Sequence, residues 1–292
     1  LNVIFEIEAR KKAGQDTIFV IDDIADSFDY RNKYAIIQYL KDIAEEPNFT
    51  QIILTHNFDF FRTVNRRFVS YDHCLMAYRN DVGITLKQAE GIQNIFVNDW
   101  KRSFFTDPKK RFASIPFIRN IVEYTNGKDD PAFITLTSLL HWKAESQATT
   151  EADLDRIFKD VFGEDGGWAE GANVVVDDID VGAKKCLTAD DGSNFENKIV
   201  LSIAVRLAAE RFMVDRIADP EFVANIARNQ SAKLFAKYRQ LPDSDADATE
   251  IIERVMLMTP ENIHLNSFMY EPILDMSDEH LRQLYSEVSG LQ

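Results

Sequence analysis

The spacing of apolar residues along this chain divides it into a strand-bearing start and a helical remainder. Leu1 to Arg10 reads as an amphipathic helix, and Thr17-Ile18-Phe19-Val20-Ile21 is a short, continuous apolar run. Such a run fits a strand buried on both faces of a mostly parallel sheet. A helical stretch over 31–43 leads to a second run, Gln51-Ile52-Ile53-Leu54. Cys74 to Lys87 reads as a hairpin, with Asn80, Asp81 and Gly83 supplying turn residues that tolerate positive φ. Beyond it the spacing becomes helical, over 116–124 and 132–144, punctuated by Asn126-Gly127 and Pro131. Residues 163–192, rich in Gly and Asp, read as a solvated loop with one strand-like run at 173–176. Asp177, Asp178 and Asp180 there lack the spacing of a calcium loop. Glu196 to Ile217 is a strong helix capped by Ser193-Asn194. An acidic loop over 242–249, a helix to Met258 and a last helix over 277–288 complete the pattern.

Composition narrows the class. With 45% hydrophobic and 28% charged residues, the 292-residue chain has the mixture of a globular protein. No window approaches 18 consecutive apolar residues, and Glu6 and Glu8 interrupt the start where a signal peptide needs an apolar core. The expectation is a cytoplasmic chain that begins inside a larger protein and makes no membrane contact. Two distant cysteines, Cys74 and Cys186, fit a reducing compartment. A net charge of −15 argues against a surface that coats nucleic acid, although Arg62, Arg66 and Arg67, and Lys101, Arg102, Lys109, Lys110 and Arg111, form local basic clusters. Solvated helix ends are the plainer explanation of those clusters, and a phosphate-facing patch the other.

Chemistry enters where the first apolar run ends in Asp22-Asp23. The second run ends in Thr55-His56-Asn57. Two parallel strands joined by a helix bring both tips to one sheet edge, where open α/β folds bind ligands. IFVIDDIADSFD resembles the Walker B and D-loop of the ABC/SMC branch of P-loop ATPases, and ILTHN resembles its switch-histidine loop. The resemblance implies a fold in which the C-terminal half of such an ATPase sheet precedes a mostly α-helical region. It implies that Asp22 helps hold Mg²⁺ with ATP, that Asp23 polarises the attacking water where most of the family has glutamate, and that His56 contacts the γ-phosphate. Asp29 of the D-loop would cross to the partner's site in a homodimer formed through the ATPase domains. No G-x-x-x-x-G-K-[ST] and no ABC signature occurs, so the missing N-terminal ATPase half would have to supply the phosphate cradle. The expectation is that the chain alone binds ATP poorly.

A charged pair on a helical face is the other signal. Ile199, Ile203, Leu207, Val214 and Ile217 form one stripe; Glu210 falls within it and Arg206 at its border, four residues apart. Desolvating both charges is costly, so either a paired structural bridge or a site is expected. His264 lies beside Asn262, Asn266 and Ser267, whereas His141 reads as a structural histidine. Arg206, Glu210 and His264 follow the R-x-x-x-E…H order of the anticodon-nuclease branch of ABC ATPases, the PrrC/RloC type. That resemblance implies metal-independent RNA cleavage by attack of the 2′-hydroxyl, with the three residues catalytic.

Three regions follow: 1–98, the C-terminal lobe of the ATPase; 99–192, a helical linker region with an acidic loop; and 193–292, a helical effector-like domain. The expected function is ATP-controlled nucleic-acid processing, as an RNase in stress or phage defence. The alternative is an SMC-like DNA-binding or repair ATPase whose helices are structural or bind protein.

Overall fold

Parallel strands must be linked by a crossover, and that requirement shapes the first part of the chain. In a computed structural model, residues 2–24, 33–80, 83–89, 96–164, 166–167, 171–188, 195–260 and 278–291 are described. The chain divides into two units, residues 1–92 and 93–292.

Unit 1 is α/β. Helix α1 (Asn2–Ala13) precedes β1 (Thr17–Asp22), and α2 (Lys33–Ala44) lies between β1 and β2 (Phe49–Leu54) in sequence. Strands β1 and β2 pair in parallel, with Val20 opposite Ile52 and Asp22 opposite Leu54. Helix α3 (Phe58–Arg67) follows, its N-terminus capped by the Asn57 side chain, which accepts from the Phe60 amide. Ile37 and Leu40 of α2 and Phe60 and Val64 of α3 pack with Ile21, Phe19 and Ile53 in one apolar cluster. The face of the sheet pointing the other way is uncovered: Ile18 is 70% exposed, Val20 57%, Ile52 47% and Leu54 48%. Burial on both faces was expected for β1; instead burial alternates, because the helices α2 and α3 cover one side of the pair. The expected hairpin is present as β3 (Leu75–Asn80) and β4 (Gly83–Gln88), antiparallel, with Tyr78 opposite Thr85.

Unit 2 is helical among its described residues. A π-helical turn (Phe96–Trp100) runs into α4 (Lys101–Ser103), followed by α5 (Pro108–Ala113), α6 (Ile115–Thr125), α7 (Pro131–Ser138) and α8 (Glu151–Phe162). Then come α9 (Val175–Cys186), α10 (Phe195–Ile217), α11 (Pro220–Ala224), α12 (Gln230–Tyr238), α13 (Ala246–Met258) and α14 (Asp278–Ser289). Capping is local and legible: Asp107, Asp130 and Asp245 accept from the first-turn amides of α5, α7 and α13. Thr150 and Asp153 form a capping box on α8, which ends at Gly163 in the left-handed conformation. Helix α10 is the centre, packed against α5, α9, α12, α13 and α14. It is apolar around most of its circumference, as a helix enclosed by others must be.

Helix α10, in region 193–292, packs on α5 and α9 of region 99–192 within one unit. Two sequence expectations change here. Residues 175–186 are a helix rather than loop: Val175, Val176, Ile179, Ala183 and Cys186 recur at helical spacing and are buried, a period hidden by the surrounding Gly and Asp. Within the basic cluster at 101–111, three of the five side chains pair with protein carboxylates while Arg102 stays exposed. Lys101 pairs with Glu164, Lys110 with Asp99, and buried Arg111 with Asp155.

An aromatic cluster anchors α8: Phe158 stacks on Phe104 at 3.8 Å between ring centres and meets Phe105 edge-on. Because Phe158 is fully buried, Phe158→Ala is expected to destabilise unit 2 by about 3–5 kcal/mol, read by urea unfolding; a loss below about 1 kcal/mol would contradict this packing.

Candidate functional site

The rim of the parallel pair holds the first cluster. Asp22 is the last residue of β1, and the Asp23 amide donates to the Leu54 carbonyl at 3.1 Å, extending the ladder by one step. Asp23 has φ of 44°, a left-handed conformation uncommon for a residue with a Cβ. Strain of this kind concentrates where a side chain must be held at a functional position. The Asp23 Oδ1 accepts from the His56 amide at 3.3 Å and lies 2.9 Å from His56 Nδ1. Both side chains remain substantially solvent-accessible. Asp22, Asp23 and His56 thus share one end of the sheet, which was the geometric expectation. Asp29 lies outside the described residues.

Asp22 is exposed at this rim. A Mg²⁺ ion takes one or two carboxylates alongside phosphate oxygens, and the Asp22 carboxylate is an oxygen donor of that type. Among the described residues, no group of three or more His, Cys, Asp or Glu side chains could hold a metal ion.

The second cluster lies in unit 2. Glu210 is 1% exposed and accepts from four donors: the Trp142 amide at 2.8 Å, Gln230 Nε2 at 2.9 Å, Ser231 Oγ at 2.5 Å, and His141 Nδ1 at 2.8 Å when that nitrogen carries the proton. Arg206, also buried, donates from Nε (2.9 Å) and Nη2 (2.5 Å) to Thr259 Oγ1, and from Nη1 to Ser231 Oγ at 2.5 Å. The opposite charges therefore meet through Ser231, where the sequence spacing suggested a direct i, i+4 contact. Burial pushes the Glu210 carboxyl up, but the opposing effects of His141, Ser231 and Arg206 outweigh it, and the group is held below the ordinary carboxylate range.

Of the residues expected to act together here, Arg206 and Glu210 join one network, and His264 lies outside the described residues. Thr259, which Arg206 holds, precedes His264 by five positions. Gln230, Ser231 and Thr259 carried no sequence signal, being isolated polar residues near helix ends. His141, expected to be structural, is a direct partner of Glu210. Its only signal was a polar residue between Leu140 and Trp142. Compared with protein-family models, curated proteins and solved structures, the chain shows no significant match. Among the described residues no helix is long and apolar enough to cross a membrane.

Because the folded pKa of Glu210 lies below its unfolded value, its ionised form stabilises the fold above the ordinary carboxylate range. That contribution disappears as pH falls through the depressed value. Glu210→Gln is expected to lose roughly 3–5 kcal/mol at pH 7 in urea unfolding, since it removes a buried carboxylate on which several donors converge. The gap from the unsubstituted chain should narrow in acid; a gap independent of pH would contradict an ionised Glu210.

Proposed function

We propose that this chain carries the water-polarising half of an ATP site of the ABC/SMC-like kind and that the ATPase controls nucleic-acid processing by the helical unit. The contact between Asp23 and His56 at the rim of a parallel strand pair carries this reading. Asp23 is the acceptor for a proton of the attacking water, and His56 is the group that meets the terminal phosphate. Mg²⁺, held by Asp22 and the triphosphate, would supply charge neutralisation at the phosphate oxygens.

The partner in this reading is the N-terminal ATPase half, which brings the phosphate loop. The uncovered apolar face of β1 and β2 supports such a partner, because parallel sheets are ordinarily covered on both sides. Homodimerisation through the ATPase domains, with Asp29 reaching across, and a cytoplasmic setting belong to the same proposal.

For the helical unit the favoured activity is cleavage of RNA, supported by the buried Arg206–Ser231–Glu210 network and its His141 partner. Burial of both Arg206 and Glu210 favours a second reading, in which an SMC-like DNA-binding or repair ATPase uses these helices as a structural or protein-binding body.

Isothermal titration of Mg·ATP into the chain alone should give no tight binding. Adding a polypeptide that supplies the phosphate loop should restore binding and turnover. In that assembly Asp23→Asn should lower hydrolysis by about 10²-fold or more while ATP still binds. Tight binding by the isolated chain, or full turnover by the Asn variant, would contradict the proposed half-site.

A further inference from the structure

Helices α9 and α10 each turn one face toward a cavity of about 600 Å³, a volume within the range of small-molecule sites. On α10 the lining positions Ala204, Leu207, Ala208, Arg211 and Asp215 recur at helical spacing, so that face runs from small apolar residues to charged ones. On α9 the lining positions Val176, Asp180 and Lys184 follow the same period, with Asp177 beside them. Trp142 supplies a wall, and the buried polar network holds its backbone from both sides. Its amide donates to Glu210 at 2.8 Å, and its carbonyl accepts from Gln230 Nε2, which also donates to Glu210. Fixing both peptide groups fixes where the indole ring begins, the preorganisation that a ligand-binding wall requires.

The Arg211 guanidinium lies over the Trp142 ring, 5.2 Å from its centre, and Arg216 lies over the Phe212 ring at 5.5 Å. A guanidinium stacked on an indole keeps its N–H edge directed sideways, where it can take a carboxylate in two parallel bonds. Charge around the cavity is balanced, with Lys184, Arg211 and Arg216 against Asp177, Asp180 and Asp215. Lys184 pairs with Asp180 at 2.6 Å and Arg211 with Asp215 at 3.9 Å, both as exposed i, i+4 pairs. Such pairs contribute little, so the charges of a ligand replace them at small cost. A dianion would be repelled by the three carboxylates and a cation by the three bases. A neutral zwitterion with an apolar body matches both the balanced rim and the apolar floor.

We propose that this cavity binds a small zwitterion, an α-amino acid with an aromatic or large apolar side chain. The two charges of such a molecule are joined through a single carbon, which suits the neighbouring Arg211 and Asp215. Arg211 takes the carboxylate and Asp215 the ammonium group, while the side chain covers Ala204, Leu207 and Ala208 beside the Trp142 ring.

Binding is read on the indole N–H signal of Trp142 in proton–nitrogen NMR of the chain, assigned by its loss in Trp142→Phe. L-Phenylalanine is titrated beside phenylpropanoate, which lacks the ammonium group, and phenethylamine, which lacks the carboxylate. Phenylalanine is expected to give a saturable shift at about millimolar concentration, and each analogue to bind about 10-fold more weakly for want of one charge-assisted contact. Arg211→Gln, at an exposed position, is expected to keep its melting midpoint and to weaken phenylalanine and phenylpropanoate by a similar factor, with phenethylamine unchanged. Phenylalanine that gives no saturable shift at Trp142 would overturn the site. Analogues that bind as tightly as phenylalanine would overturn the zwitterionic ligand, and undiminished phenylalanine binding by Arg211→Gln would overturn the role of Arg211.

Discussion

Neighbouring parallel strands cannot be closed by a tight turn, and unit 1 follows from that topological constraint. The chain must leave the end of β1, cross the sheet and re-enter β2 from the same side, so both strands deliver their C-terminal residues to one rim. Register then fixes the chemistry. With Asp22 opposite Leu54, the next residue on one strand and the second beyond the other are Asp23 and His56, and their side chains meet. Asp23 adopts a left-handed backbone conformation in doing so.

Unit 2 is organised around a different constraint, the desolvation of charge. A buried carboxylate and guanidinium survive in a helical core only if other groups satisfy them. Here the answer is distributed. Glu210 draws on the 141–142 segment and the start of α12, Arg206 on the end of α13, and Ser231 joins the two. Three stretches far apart in sequence are therefore tied to α10 by polar bonds as well as by apolar packing. Among the groups that hold Glu210, His141 keeps residual solvent contact.

Much of unit 1 was legible because its signals are local. Two apolar runs ending in acids and a histidine, with a helical stretch between them, specify strand, crossover and rim. Turn residues mark the hairpin equally well. The exposed face carries no local signal, since a run such as Ile18 to Val20 looks the same whether one side or both are covered. In unit 2 the wheel over 199–217 exposed Glu210 as an anomaly but could not supply its partners. Ser231, Gln230 and Thr259 come from distant segments, and nothing in their own neighbourhoods marks them. Helix α9 was obscured for a related reason: Asp177, Asp178 and Gly182 suggest a loop by composition, while Val175, Ile179, Ala183 and Cys186 carry the helical period beneath.

The rim geometry is tested most directly by paramagnetic NMR, with Mn²⁺·ATP added to the chain together with a polypeptide bearing the phosphate loop. The amide signals of Asp22, Asp23 and His56 are expected to broaden together, because an ion bound at this rim would lie near all three. Broadening of Asp22 with His56 left sharp, or broadening confined to other parts of the chain, would contradict a shared nucleotide rim.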